Sequence, residues 1–383
     1  MTPAPPRVLV LHNRYRHTGG EERAVELHLA ALARAALPHR ALVRDSARIG
    51  RAGAGVALLR GGVRPDEVAS AIAGHGSSVV HAHNVLPLLG PRALGAARGA
   101  GARVILSLHN FRLVCAVAVA FRDGAPCFRC HGRNTLPGLV LNCRGSLPEA
   151  AAYAAALAAH QPALLEAAHA LVVPSAYAAG QIARMGVSAG AMRVVPHYLP
   201  EERMASRSRA ERGTYALVSG RVAPEKGVAD AVGAARRAGV PLKVAGDGPL
   251  LADLAARAPR DVELLGRVTP EALRRLVEGA AMVVVPSRGS ETFGYSALEA
   301  MGLGVPVVAT TSGALPEVVG LERCVPRGDP DALGGAMRAL WEEPERRHAE
   351  GEALRARARA HFGEPSFLAR LLELYGGSPR ALP

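Results

Sequence analysis

Short apolar runs rich in Val and Leu recur along the chain, each followed by a polar or glycine-bearing loop. Runs of this length bounded by turn residues predict buried strands. Residues 7–12, 40–45, 77–83, 103–108, 170–174 and 192–196 form one set, and residues 215–219, 242–245, 262–265, 281–285 and 305–309 a second. They alternate little, as expected of strands covered on both faces. Helices are predicted at 21–36, 148–168, 176–185, around Glu299 and Met301, and at 329–340 and 345–362, with a closing one at 365–375. Strand, loop, helix, strand is the unit of a parallel sheet, which holds ligands at the carboxyl ends of its strands. The pattern predicts an α/β protein. Its 383 residues allow two separate cores at about 100–200 residues each. Residues 201–213 (EERMASRSRAERG) are charged and lack an apolar period, so they read as a linker.

Composition narrows the partners. The chain has 46 Lys and Arg against 33 Asp and Glu, a net charge of +13, and only Lys226 and Lys243 are lysines. A positive surface attracts anionic lipid headgroups, nucleotide sugars or nucleic acid. Nucleic acid is disfavoured, because aromatics are only 4% and no basic stretch interleaves with stacking residues. Mean hydropathy is +0.12, yet the longest apolar candidate, residues 113–121, falls far short of the ~18 residues of a membrane span. The start, MTPAPPRVLVLH, lacks a charged segment followed by an apolar one, so no signal peptide is expected. The expected location is the cytoplasm, with contact to the inner face of the membrane.

Candidate chemistry concentrates at residues 286–313, PSRGSETFGYSALEAMGLGVPVVATTSG. Gly294 lets backbone approach a ligand, and the helix start behind it offers N–H groups to an anion. Glu291 stays in the loop, while Glu299, eight residues on, lies about two turns inside the helix. The two carboxylates would meet different parts of an elongated ligand. A second cluster, SGR-x-x-x-EKG at residues 219–227, sets Arg221 and Lys226 beside a helix start, which suits a diphosphate. Lys226 is a lysine in a chain that otherwise uses arginine, which suggests a need for a compact ammonium. In the first half, His81 and His83 are expected on opposite faces of their strand. His81 is assigned to the core, while His83-Asn84 and His109-Asn110 end their strands on the ligand-bearing rim.

The E-x7-E pattern, with FG after the first Glu and EAM-x-x-G-x-PVV around and after the second, resembles the retaining glycosyltransferases of family 4. The resemblance implies the GT-B fold, two Rossmann-like doubly wound domains facing a central cleft. Here these would be residues 1–200 on the acceptor side and 201–365 on the nucleotide-sugar side, with a helix in 366–383 packing back on the first. It implies that Glu291 holds hydroxyls of the transferred sugar and Glu299 the donor ribose, while Arg221 and Lys226 grip the pyrophosphate. Phe293 and Gly294 flank the first Glu. Gly246 and Val268 fall in loops near the nucleotide and base, and Gly20 in the loop facing the donor phosphates and acceptor. His109 matches a histidine that contacts the donor sugar, and His83 and Asn84 are expected on the acceptor side. Two departures stand out: Pro196-His197-Tyr198 where an Asn-Gly is common, and Ala314 where a second glycine is common.

From residue 111 to 145 the αβ rhythm breaks, and Cys115, Cys127, Cys130 and Cys143 fall inside, spaced C-x11-C-x2-C-x12-C. Four thiols with a central C-x-x-C suit one structural zinc, the alternative being reduced thiols packed in an insertion. The start, HNFRLVC, resembles a cysteine-bearing insertion in some family members. The implied reaction is transfer of a hexosyl group, with retention, from a UDP- or GDP-linked sugar to a glycan or lipid-linked acceptor in cell-envelope polysaccharide synthesis. Arg221 and Lys226 would stabilise the leaving diphosphate, so no catalytic metal or other catalytic cofactor is implied. Rival readings are a sugar phosphorylase, an epimerase or a non-catalytic nucleotide-sugar scaffold.

Overall fold

A computed structural model describes residues 5–15 and 19–376. Part of the loop at residues 13–20, the first four residues and the end of the 366–383 stretch lie outside the described residues. The chain divides into two compact units, Met1–Ala120 with Phe128–Pro196 and Pro365–Pro383, and Phe121–Cys127 with His197–Glu364.

In the first unit, strands β1 (Val8–Arg14), β2 (His39–Asp45), β3 (Val79–Ala82) and β4 (Arg103–Ser107) precede a short hairpin, β5 (Phe121–Arg122) and β6 (Ala125–Pro126), which groups with the second unit. β7 (Ala170–Val173) and β8 (Met192–Val194) complete a six-stranded parallel sheet in the order β2-β1-β3-β4-β7-β8. Both faces are covered. Leu9 and Leu11 join one apolar cluster and Val8 and Val10 the other, as the two-residue period of a strand requires. Each such fully buried Leu stabilises the fold by roughly 1.5–3 kcal/mol. The closing helix, Glu364–Leu374, carries Leu371, Leu374 and the following Tyr375 into the cluster with Val8 and Val10.

The second unit holds β9 (Ala216–Ser219), β10 (Leu242–Ala245), β11 (Val262–Gly266), β12 (Met282–Val285), β13 (Val307–Thr310) and β14 (Cys324–Val325), again all parallel, in the order β11-β10-β9-β12-β13-β14. Counted within the unit this is 3-2-1-4-5-6, the dinucleotide-binding order, which reverses direction between its first and fourth strands. Val283 and Val285 face one apolar cluster, Met282 and Val284 the other.

Three expectations change. Residues 201–213 are not a loose linker: Met204 and Ala210 are buried, Ser208 N–H donates to Glu352, and buried Arg347 donates to the carbonyls of Ala210 and Glu211 at 3.0 Å. Charged side chains of the later helix Pro344–Phe362 satisfy backbone groups of this segment, which removes the need for an apolar period. Helices Arg51–Leu59, Pro65–His75 and Gly90–Gly99 stand where none was predicted, because glycine, alanine and arginine give a weak period. Finally, helix Tyr295–Gly302 begins so that Glu299 is its fifth residue, nearer one turn in than two.

Candidate functional site

The second unit's reversal point is built from two loops. β9 leads into residues 220–227 and β12 into residues 286–294. These loops are fastened to each other, since the N–H groups of Arg288 and Gly289 both donate to the Glu225 carbonyl, at 2.9 and 2.8 Å. Arg288 adds a bidentate ion pair with Asp230. Gly227 has φ +65°, and a Cβ there would lie 2.0 Å from the Pro286 carbonyl oxygen, so only glycine allows the loops to meet. Gly246 plays a similar part at the end of β10, where a Cβ would lie 1.7 Å from the Gly220 oxygen.

This fastening brings Lys226 and Glu291 together although they are far apart in sequence. Lys226 Nζ lies 2.6 Å from Glu291 Oε1, and Ser287 Oγ donates to the same oxygen at 2.5 Å. Glu291 is 14% exposed and Lys226 34%. Burial pushes the Glu291 carboxyl up, but the charge and hydrogen bond of Lys226, the Ser287 hydroxyl and Arg221 outweigh it and hold the net value below the usual range. The carboxylate is therefore ionised and oriented, with hydrogen-bonding capacity left for hydroxyl groups. Arg221, half exposed, pairs with Glu225 on the same loop. Ser287 was not singled out by sequence. The signal was available: a serine directly after the strand's last proline, four residues before the carboxylate it donates to.

Other predicted positions divide. Gly294 precedes helix Tyr295–Gly302 in left-handed backbone, and Glu299 is half-buried on that helix. Val268, half-buried, packs against the apolar cluster under β12. Phe293 is buried in that cluster, edge-on to Phe362 at 5.5 Å and to His197 at 5.0 Å, so a donor would meet its backbone and not its ring. His197 stands at the departure from Asn-Gly, stacked on Tyr295 at 4.5 Å.

In the first unit, His83 and His109 are joined, with Nδ1 of His83 2.8 Å from Nε2 of His109. His83 is buried and its other nitrogen meets His28 Nδ1 at 2.8 Å, so both its ring nitrogens are engaged within the protein. Asn84 is buried too, donating to the Asn13 carbonyl at 2.7 Å and accepting from Leu86 N–H at 3.2 Å. These two residues tie the ends of β1 and β3 together. His81 and His83 do not point to opposite faces: their rings stack at 4.8 Å and 7°. Residues two apart in an extended chain share a face, which is the physical reason for the correction. Gly20 opens helix Gly20–Arg34, where Glu22 accepts from the N–H groups of Gly19 and Tyr15 at 2.8 and 3.0 Å. Next to it, half-buried Glu21 accepts from Asn110 at 3.0 Å, and burial raises its carboxyl to about 7. His28, Glu21 and Tyr375 were missed because each looks in sequence like an ordinary helix residue.

The four clustered cysteines are free thiols. Cys127 belongs to the second unit and the other three to the first. Among the described residues, the ligand-type side chains that gather closely enough for one ion are His28, His81 and His83, not the thiols. His28 bonds His83 directly at 2.8 Å, and His28 and His81 each bond the Tyr375 hydroxyl, at 2.8 and 2.7 Å. Ligands on a common zinc, with bonds of 2.0–2.1 Å, would stand about 3.3 Å apart. Hydrogen bonding is the better account of the histidines.

Residues 213–343 match the family described as "Glycosyl transferases group 1". D-rhamnosyltransferase WbpZ of Pseudomonas aeruginosa is 35% identical over 131 residues, 32% of this chain and 34% of that protein. A GDP-mannose-dependent monoacylated alpha-(1-6)-phosphatidylinositol monomannoside mannosyltransferase of Corynebacterium glutamicum is 30% identical over 202 residues, 47% of this chain and 52% of that protein. The chain thus spans about a third to a half of these relatives. Among solved structures, sucrose-phosphate synthase from Thermosynechococcus elongatus superposes with TM-score 0.71 at 18% identity, covering 97% of this chain and 98% of that one. HepE of Anabaena, in complex with UDP and glucose, gives 0.65 at 14% identity, covering 96% and 99%. These likenesses show a GT-B fold, and residues 213–343 resemble the glycosyl transferases group 1 family.

Proposed function

We propose that the protein is a retaining glycosyltransferase that moves a hexosyl group from a nucleotide-diphosphate sugar to a glycan or lipid-linked acceptor. The observation that carries this reading is the Lys226–Glu291 pair at the reversal point of the 3-2-1-4-5-6 sheet, within the matched domain. A diphosphate at the start of helix Val228–Ala238 meets Arg221 and Lys226, whose charge stabilises the leaving group as the glycosidic bond breaks. Glu291, held ionised by Lys226 and Ser287, accepts hydrogen bonds from sugar hydroxyls, and Glu299 does the same for the ribose. His109 is the first unit's ligand-contacting residue. Neither step needs a metal ion, and an oxygen of the departing phosphate takes the acceptor's proton.

Support for the donor class comes from HepE, which binds UDP and glucose, and from the GDP-mannose-dependent relative. Cell-envelope glycan synthesis fits the rhamnosyl and mannosyl transferases among the relatives. A positive surface would favour an anionic membrane for a lipid-linked acceptor. Among the described residues no helix is long and apolar enough to cross a membrane.

The test is turnover of UDP- and GDP-sugars followed by NMR, which reads the anomeric configuration of the product. Transfer with retention by the unaltered protein, falling by on the order of 100-fold or more in Glu291→Ala with nucleotide binding kept, is the expected result. Inversion of the product, or unchanged turnover in the variant, would overturn the mechanism.

A further inference from the structure

Residues 286–294 are held on one side by Glu225 and Gly227, and on the other by residues 310–314 at the end of β13. The Ala314 N–H donates to the Glu291 carbonyl at 2.9 Å. Gly313, at φ +66°, passes so close that a Cβ there would lie 2.2 Å from the same oxygen. Four residues before Glu291, the Ser287 carbonyl accepts two hydroxyls, Thr310 Oγ1 at 2.6 Å and Ser312 Oγ. Ser287, Thr310 and Ser312 are all buried.

The chemistry of these groups fixes the direction of every proton. A carbonyl oxygen only accepts, so Thr310 and Ser312 each give Ser287 their one hydroxyl proton. An ionised carboxylate only accepts as well, so Ser287 gives its own proton to Glu291 Oε1 at 2.5 Å, where Lys226 Nζ also arrives at 2.6 Å. Both donors meet the same oxygen. Oε2 has no hydrogen-bond partner among the described residues and keeps its accepting capacity. One donor already satisfies a buried carbonyl, so the second does something more. Two hydroxyls reaching one oxygen from different residues fix the direction of the Ser287 carbonyl, where a single one would leave a hinge. The Ser287 side chain is then left with rotation about χ1 among three staggered wells, and the well it occupies places its proton on Glu291.

We propose that Thr310 and Ser312 are positioning residues for Glu291. They fix Ser287, Ser287 and Lys226 together fix Oε1, and Oε2 is presented to a hydroxyl of the ligand. Neither Thr310 nor Ser312 touches that ligand; both act through Ser287. The clamp stands on the geometry above, whereas a sugar as the ligand rests on the proposed glycosyl transfer.

Carbon-13 NMR of the glutamate-labelled full chain reads the ionisation of Glu291 with no ligand present, its signal identified by its loss in Glu291→Gln. Lys226 and Arg221 are the charged groups that act on this carboxyl, and with the Ser287 hydroxyl they hold it below the ordinary range. Thr310→Val combined with Ser312→Ala removes both donors to Ser287 and leaves those charges in place. In that double variant the Glu291 titration is expected to move up toward the ordinary range. The affinity for a nucleotide sugar should fall several-fold while the Kd of the bare nucleotide stays unchanged. Thr310→Ser, which keeps the hydroxyl, should leave the titration as in the parent. Ser287→Ala should reproduce the shift by itself, and adding the double variant to it should move Glu291 no further, because the clamp acts through that one hydroxyl. A lower Tm with the Glu291 titration unmoved would make Thr310 and Ser312 packing residues and overturn the proposal. Shifts that add to those of Ser287→Ala would overturn it as well. Should the double variant not fold, Thr310→Val alone, close in shape to the parent, gives the same comparison against Thr310→Ser. The expected titrations in a protein that binds no nucleotide sugar would leave the clamp standing and remove the transferase reading instead.

Discussion

At the scale of single residues, the account turns on charges placed where sequence distance hides them. Glu291 and the Arg221–Lys226 pair were legible because flanking residues mark them, FG after Glu291 and EKG around Lys226. Their direct contact at 2.6 Å was not, since no local pattern encodes a pairing between loops after two different strands. The histidines show the opposite failure: His83 and His109 were legible as strand ends, but the reach of His28 and Tyr375 into the same place depends on packing alone. These rings give a pH prediction. Burial holds His28 and His109 at about 3 in the folded protein, against 6.5 for a free imidazole. Between those values the unfolded chain binds more protons, so stability rises with pH through that window and levels off above it. Urea unfolding at pH 7.5 and pH 5 checks this, with a lower midpoint expected at pH 5. An unchanged midpoint would mean that the cluster takes up protons while folded.

At the scale of elements, most strands read from sequence within a residue or two, because their Val and Leu runs are buried on both faces. Helices that pack through alanine and glycine did not. Gly90–Gly99 contributes Ala93, Leu94 and Ala97 to the core, too few large side chains to give a clear period. The fastening of the two second-unit loops is an element-scale device that makes its own prediction. Gly227→Ala places a Cβ in left-handed backbone, at a penalty of about 1–2 kcal/mol, and drives it against the Pro286 carbonyl. A loss on the order of 2 kcal/mol or more is expected, seen as a Tm lowered by roughly 4–8 °C in a unit of this size. Nucleotide affinity should fall with it, because the loops carrying Lys226 and Glu291 separate. A variant as stable and as tight-binding as the parent would show that the loop contact does not organise the site.

At the scale of the whole molecule, the two sheets differ in strand order. The second has the dinucleotide order and the matched family domain, and its reversal point collects Arg221, Lys226, Glu291 and Ser287. The first has the order 2-1-3-4-5-6 counted within itself, with the rim residues His83 and His109 on the strands beyond its own reversal. Structural zinc on Cys115, Cys127, Cys130 and Cys143 would be revealed by stoichiometric metal retained through gel filtration.

The measurement that tests the central claim most directly is calorimetric titration of the protein with UDP, GDP, ADP and their common sugar conjugates, repeated on Lys226→Ala. One nucleotide diphosphate should bind clearly above the others and lose on the order of 10-fold or more in affinity in the variant, as expected when a charge-assisted contact to phosphate is removed. Glu291→Ala should retain binding of that nucleotide while losing the added affinity of its sugar conjugate. Absence of binding by every nucleotide, or equal binding with and without the Lys226 ammonium, would contradict the assignment of residues 220–227 as the phosphate site.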